Sequence, residues 1–278
     1  MSEQKDQYIV AYITDFGNRQ TLNWAIFFAK LLDKGIILLH ISDKKYTEIS
    51  PDEAQIKLKE LNNGISQIPT HTYAALNGKT KDVIHSLGEL FSAVMVVGFA
   101  NKKQKATSSP QNPKNIIKDF ESSRIAYFIF GENCVLRDFN KVLLPLNMLR
   151  ESKEKVLWAS YFGRFASSDI TIYYKHYRDE FHRRQLNYNL KFAEDMLGKF
   201  GVSFTKEKQN AQSTADIDVS AVSYAASGNY DLIICQTTKN KSFIDVFSTP
   251  SELKTLQQMD ETPILFLNPR DDLFVLCE

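Results

Sequence analysis

The amino-acid sequence predicts an α/β protein made of two Rossmann-like, doubly wound domains, each with a five-stranded parallel sheet. Two observations support this fold class. A compact strand, turn, helix and strand unit stands near the start of the chain, and the same unit recurs 134 residues later. Self-similarity at a fixed spacing indicates a tandem repeat, so the two halves are expected to share one fold.

The first unit covers residues 8 to 43. Residues 8–14 are short, apolar and β-branched, as is typical of a buried parallel strand. The turn formers at 15–18 follow, and residues 21–32 place apolar side chains at helical spacing. A second apolar run at 36–41 completes a unit whose crossover is expected to be right-handed.

The repeat is marked by the only two tryptophans of the chain. Trp24 and Trp158 are each followed by alanine, and at the same offset Phe28 matches Phe162. The two segments align without a gap from residue 22 to residue 38 of the first half. A tandem duplication of one α/β domain explains this register.

The remaining segments continue the alternation of strands and helices. The predicted domains are residues 1–136 and 137–278, with a linker at 131–140 and a further apolar run at 273–277. The sequence predicts further strands at 70–75, 93–98, 125–130, 141–146, 169–174, 202–206, 230–235 and 263–267, and helices at 51–61, 79–90, 115–120, 152–165, 178–200, 213–226 and 251–258.

Composition excludes several classes of function. The 278 residues are 43% hydrophobic and 24% charged, with a net charge of +1 and a pI near 7.7, which gives no basis for a nucleic-acid surface. No apolar run approaches the length needed to span a membrane, and the polar start does not resemble a signal peptide. The three cysteines are far apart and suggest no disulfide framework. We therefore expect a cytoplasmic protein without a membrane or nucleic-acid partner.

Taken together, these segments resemble the universal stress protein family in its tandem form over nearly the whole chain. The resemblance rests on residues 9–41 and 142–174, on the strands at 93–98 and 231–236, and on 262–267. It implies that the last strands of the two halves, 125–130 and 264–267, meet across a pseudo-twofold axis as an intramolecular pseudo-dimer. It also implies a stress-linked role with an unidentified protein partner, and it leaves a homodimer open.

Members of the family that bind ATP carry the motif Gly-x2-Gly-x9-Gly-Ser/Thr after the fourth strand. Its glycines let backbone N–H groups converge on the phosphates, and the next helix adds its dipole. The matching positions in the first half are Gly98, Asn101, Gln111 and Asn112, so only the first glycine is present. The motif is degenerate here.

The second half departs further from this motif. Gln236 and Lys239 stand at its first two positions, and Pro250 with Ser251 at its end, so no glycine is present. Pro250 also lacks a backbone donor. The resemblance therefore predicts no ordinary ATP binding, and no cofactor, in either half.

The adenine side of the family's pocket is better preserved in the first half. Asp15 stands where members place a base-contacting aspartate, and Ile41 where a branched residue closes the pocket, whereas the second half has Asn147 and Lys175. Asp15 is also compatible with a turn-capping role. Any small ligand, including an adenine nucleotide, is predicted to lie in the first half near Asp15, Ile41, Gly98, Asn101 and Asn112.

Other polar residues are given structural roles. His40 lies inside an apolar strand and is expected to be a core histidine, with a ligand role as the alternative. We expect a solvated loop to carry Lys102, Lys103 and Lys105, the alternative being that these lysines bind an anionic ligand. The basic stretch 175–184 is expected to be the polar face of a helix, the alternative being an acidic-partner or nucleic-acid surface.

No set of side chains in the sequence has the spacing of a catalytic triad or a metal site. We therefore predict a non-catalytic binding or regulatory module without a catalytic residue or a metal. The alternative is a nucleotide-binding protein with weak ATP hydrolysis in a residual pocket of the first domain.

Overall fold

A computed structural model describes residues 7–46, 49–66, 68–104, 108–121, 123–210, 216–237 and 250–269. The chain divides into two compact units, Met1–Glu132 and Asn133–Glu278. The sequence prediction places the division between residues 136 and 137, a few positions further along the same connecting segment. The apolar run predicted at 273–277 lies outside the described residues.

The first unit is a five-stranded parallel sheet in the order β3-β2-β1-β4-β5, and four helices connect its strands. Its elements are β1 (Tyr8–Tyr12), α1 (Gln20–Leu32), β2 (Gly35–Ser42), α2 (Pro51–Asn63), β3 (His71–Asn77), α3 (Thr80–Phe91), β4 (Ala93–Phe99), α4 (Pro113–Phe120) and β5 (Ala126–Phe130).

The second unit repeats this topology in the order β8-β7-β6-β9-β10, again with parallel neighbours. The predicted fold class, two doubly wound domains with five parallel strands each, is confirmed. The elements are β6 (Lys141–Leu146), α5 (Ser152–Phe165), β7 (Asp169–Tyr174), α6 (Glu180–Lys199), β8 (Phe204–Lys208), α7 (Ile217–Gly228), β9 (Leu232–Gln236), α8 (Ser251–Gln258) and β10 (Ile264–Leu267).

An aromatic cluster forms the core of the first unit on the α1 side of the sheet. Trp24 and Phe28 project from α1 and are buried. Their rings lie 4.9 Å and 4.7 Å from the ring of Phe128 on β5. Aromatic pairs at such distances stabilise the fold beyond the area they bury. The repeated Trp-Ala segment is thus the inward face of a helix that packs on the sheet.

Each sheet reverses its strand order once, between β1 and β4 in the first unit and between β6 and β9 in the second. Right-handed crossovers place the helices before and after this reversal on opposite faces. The carboxyl ends of the two strands therefore open a crevice, which is where open α/β sheets bind ligands. Among the described residues, no helix is long and apolar enough to cross a membrane.

Candidate functional site at the carboxyl ends of the strands

Three predicted residues lie close to strand ends in the first unit. Asp15 is exposed in the loop after β1, and its Oδ1 accepts a hydrogen bond from the backbone N–H of Gly17 at 2.8 Å. The side chain therefore shapes this turn, while Asn18 Oδ1 accepts the N–H of Gln20 at the start of α1 at 2.8 Å. Ile41 is 2% exposed inside β2, and Gly98 is buried inside β4, beside Ile129 of β5. Neither position is open to a ligand in this conformation.

Asn101 and Asn112 lie in the loop between β4 and α4 and organise its backbone. Asn101 Oδ1 accepts the N–H of Lys103 at 3.0 Å, and its carbonyl accepts the N–H of Gln104 at 3.1 Å. Asn112 is the N-cap of α4, where its Oδ1 accepts the N–H of Lys114 at 2.9 Å. Its Nδ2 donates to the carbonyl of Gln104 at 2.7 Å. The two asparagines thus act within the loop.

The two loops at the reversal of strand order also contact each other. Gln111 Nε2 donates to Thr14 Oγ1 at 3.2 Å, and the N–H of Asn101 donates to the carbonyl of Gln111 at 2.9 Å. Asn101 and Asn112 are therefore brought beside the loop that carries Asp15. Ile41 is not part of this bridge, because its side chain packs into the interior.

His40 is a core histidine, as predicted from its apolar surroundings. It is 4% exposed, and its Nδ1 lies 2.8 Å from the carbonyl oxygen of Ile13. Burial lowers the pKa of the imidazole, so the ring is held in its neutral form. The ring of Phe16 covers it at 5.2 Å between centroids.

The equivalent loop of the second unit is held by side chains. Asn147 Oδ1 accepts hydrogen bonds from the N–H of Leu149 at 2.9 Å and from Ser152 Oγ at 2.6 Å. Asn189 Nδ2 donates to the carbonyls of Asn147 and Leu149, each at 2.8 Å. Asn147 therefore fixes the start of α5.

A buried ion pair lies in the crevice of the second unit. Lys155 Nζ of α5 lies 3.2 Å from Asp218 Oδ1 of α7, and the two side chains are 0% and 10% exposed. The other oxygen of Asp218 accepts the N–H of Gln236, the last residue of β9, at 3.1 Å. Gln236 Nε2 in turn donates to the carbonyl of Glu151 at 2.9 Å. These contacts join helices from both faces across the end of β9.

Burial raises the pKa of Asp218 to about 6, although the ammonium of Lys155 acts in the opposite direction. Asp216 raises the pKa further. Removing two charged groups from water is unfavourable unless their geometry and additional hydrogen bonds compensate. The N–H of Gln236 is one such bond for Asp218.

Lys155 was missed in the sequence analysis, although a pattern points to it. Lys155, Ala159 and Phe162 stand at i, i+4 and i+7, so they share one face of α5, and all three are buried. A lysine on an inward face needs a counter-ion or an anionic ligand. The partner Asp218 is 63 residues away, and only the fold brings it close.

The described residues contain no group of three or more His, Cys, Asp or Glu side chains able to hold a metal ion. Cys134 and Cys235 are buried, and burial raises the pKa of the Cys235 thiol well above its ordinary value. A buried thiol of this kind is a poor nucleophile.

The comparisons with known proteins rest on structure alone. No family model matches the sequence, and no curated protein matches it at a significant level. A universal stress protein from Archaeoglobus fulgidus superposes with a TM-score of 0.67 at 13% identity, covering 95% of this chain and 97% of its own. A putative universal stress protein from Pseudomonas aeruginosa superposes with a TM-score of 0.63 at 14% identity, and the match covers 97% of this chain and 95% of that protein. The chain folds like a tandem universal stress protein.

The universal-stress-protein resemblance drawn from the sequence is thus confirmed at the level of the fold. The same architecture occurs elsewhere, because the cytoplasmic domain of a prokaryotic cation chloride cotransporter matches with a TM-score of 0.57 at 13% identity. That match covers 98% of this chain and 99% of the domain. A shared fold at this identity does not transfer a function.

Proposed function

We propose that this protein is a non-catalytic binding or regulatory module of the tandem universal stress protein type that works without ordinary ATP binding. The stress-linked role and the protein partner come from the family resemblance.

The observation that carries the proposal is the hydrogen bonding of the loop between β4 and α4. A phosphate loop needs backbone N–H groups that are free to converge on the ligand. Here the N–H groups of Asn101, Lys103, Gln104, Asn112 and Lys114 all donate to acceptors within the same loop or helix start. An incoming phosphate would have to displace these bonds, which makes the loop a poor phosphate cradle.

The second unit supports the proposal in a different way. Its crevice contains the ion pair of Lys155 and Asp218 together with Gln236. A nucleotide there would have to separate two buried charges, and breaking a buried pair is strongly unfavourable. We therefore expect no nucleotide in the crevice of the second unit.

The alternative function is a nucleotide-binding protein with weak ATP hydrolysis in the first unit. It is favoured by the exposure of Asp15 at the carboxyl end of β1, where a base could still reach its carboxylate. Opening the contact between Gln111 and Thr14 would be required to admit the phosphates.

Thermal unfolding with ATP and magnesium separates the two functions. A ligand at ~100 times its Kd stabilises the folded state by about 2.7 kcal/mol, which would shift the melting temperature by several degrees. We expect millimolar ATP to cause no shift of the melting temperature that depends on Asp15. A large shift that Asp15→Ala abolishes would establish the alternative. Asp195→Ala, which removes an exposed carboxylate from α6, is the matched control.

A further inference from the structure

A cavity of about 620 Å³ lies in the first unit, and its lining includes neither Asp15 nor Asn101. It is bounded by the segment after β2, the turn after β3, the start of α3 and the last turns of α4. This volume falls within the range of small-molecule sites. Its lining consists of five lysines, three aspartates, one asparagine and one glycine.

Two of the three aspartates are already engaged by the protein. The Asp43 carboxylate accepts the backbone N–H groups of Thr80 at 2.7 Å and Lys45 at 2.9 Å. Burial alone would raise the pKa of Asp43, but these bonds outweigh it and hold the pKa below its usual range. Asp119 is 6% exposed and accepts Tyr46 OH at 2.6 Å. These two carboxylates are therefore already bound by hydrogen-bond donors of the protein itself.

Two of the five lysines are also engaged. Lys45 Nζ donates to Asn115 Oδ1 at 3.1 Å, and Lys81 forms an ion pair with Glu121 at 2.8 Å. Lys44, Lys79 and Lys118 are exposed, and none of them makes an ion pair with any residue that the structure describes.

The cavity thus presents three ammonium groups without an ion-pair partner among the described residues, from three different segments, beside one exposed carboxylate, that of Asp82. Its five lysines and three aspartates give the lining a net charge of +2. The chain as a whole carries a net charge of only +1, so this concentration of positive charge is local. Charges that surround a concave site raise the local concentration of ions of opposite sign. Lysine binds phosphate as a point charge, and several ammonium groups around one site suit a multiply charged phosphate.

We propose that this cavity binds a small phosphorylated molecule through Lys44, Lys79 and Lys118. The site gives the proposed binding role a ligand class, and to that extent it rests on that role. It shares no residue with the degenerate motif between Gly98 and Asn112. Binding here would need no glycine loop.

Inorganic pyrophosphate is the probe for the intact chain, titrated at constant ionic strength and followed by ¹⁵N–¹H correlation spectra. We expect saturable shifts of the amides of Lys44, Gly78, Lys79 and Lys118. The double variant Lys79→Ala/Lys118→Ala should weaken binding by about tenfold or more, since it removes two of the three free cations.

The matched control is Lys30→Ala/Lys59→Ala, which removes two exposed lysines from α1 and α2 and should leave the affinity unchanged. Equal affinity of the two double variants would overturn the proposal, as would shifts centred on residues 101–112 or no saturable shift at all. Citrate binding as tightly as pyrophosphate would refute the choice of phosphate. ATP stabilisation that depends on Asp15 would contradict the proposed function alone, because it reports on different residues.

Discussion

Lys155 is the residue that most distinguishes the second unit. Its side chain is fully buried on α5, and its ammonium contacts Asp218 at the point where the strand order reverses. A buried cation is tolerated only when a counter-charge accompanies it. The pair therefore occupies the place at which a doubly wound sheet would otherwise receive a ligand.

Replacing Lys155 by methionine tests this interpretation, because the change keeps most of the volume and leaves Asp218 without its counter-ion. We expect the second unit to lose about 3–5 kcal/mol of unfolding free energy above pH 7. Urea denaturation followed by the fluorescence of Trp158, in a Trp24→Phe background, reports on this unit. Lys57→Met, which breaks an exposed pair with Glu53 on α2, should change stability by about 1 kcal/mol or less.

The pH dependence of the Lys155→Met effect has a definite sign. Because burial raises the pKa of Asp218, the contribution of this carboxyl to stability is present below its unfolded value of 3.8 and is lost as the pH rises through about 6. Removing Lys155 raises that pKa further. The loss of unfolding free energy caused by Lys155→Met should therefore be largest above pH 6 and smallest near pH 5. A penalty that is independent of pH would contradict the ion-pair account.

At the level of elements, one glycine determines how closely α5 approaches the segment before β8. A Cβ atom on Gly163 would lie 2.2 Å from Cγ1 and 2.7 Å from Cγ2 of Val202. Such contacts cannot form without moving the backbone or the buried valine. Gly198 on α6 offers the opposite case, since a Cβ there meets no atom within 4 Å.

We expect Gly163→Ala to destabilise the second unit by about 1–3 kcal/mol through this overlap. Gly198→Ala should stabilise it by up to about 1 kcal/mol, because alanine is the better helix former at an open helical position. Both are measured as shifts of the urea midpoint. Equal effects of the two substitutions would show that Val202 can move aside without loss.

The elements that the sequence predicted best are those with continuous apolar runs. The bounds of β6, α5, β7 and α8 agree with the prediction, because burial on both faces of a parallel strand and a periodic helix face are visible locally. The outer strand β8 was predicted two residues too early. Its sequence, Phe-Thr-Lys-Glu-Lys, is mostly exposed and carries no apolar pattern.

The candidate site could be predicted only in part. Asp15, Gly98 and the motif positions were located because the family pattern fixes their spacing along the chain. The contact of Gln111 with Thr14 was not predictable, since 97 residues separate them. The 620 Å³ cavity of the first unit was not predicted either, although Lys44 and Lys79 follow strands β2 and β3, which are neighbours in the sheet. Which strand ends lie side by side follows from the strand order of the sheet, and patterns of single residues do not reveal it.

At the scale of the whole molecule, the duplication supplies two domains of the same fold in one chain. The family resemblance implies that the last strands of the two domains pair. In the first unit β5 is the outermost strand, and its sequence, Ala-Tyr-Phe-Ile-Phe, is apolar throughout. An unpaired apolar strand edge promotes association.

We therefore expect the isolated first half, residues 1–136, to dimerise or aggregate, whereas the full chain should stay in solution without a partner chain. Light scattering coupled to size-exclusion chromatography measures both. A first half that remains a stable monomer at high concentration would argue against the intramolecular pseudo-dimer.

The central claim is a proposal: the five backbone N–H groups described above in the loop between β4 and α4 already have acceptors within the protein, so the loop does not bind a nucleotide. Its most direct test is mass spectrometry of small molecules released by denaturing the freshly purified full chain. The account predicts no adenine nucleotide at a meaningful fraction of the protein concentration. ATP, ADP or AMP recovered at close to one molecule per chain, and lost in Asp15→Ala, would contradict it.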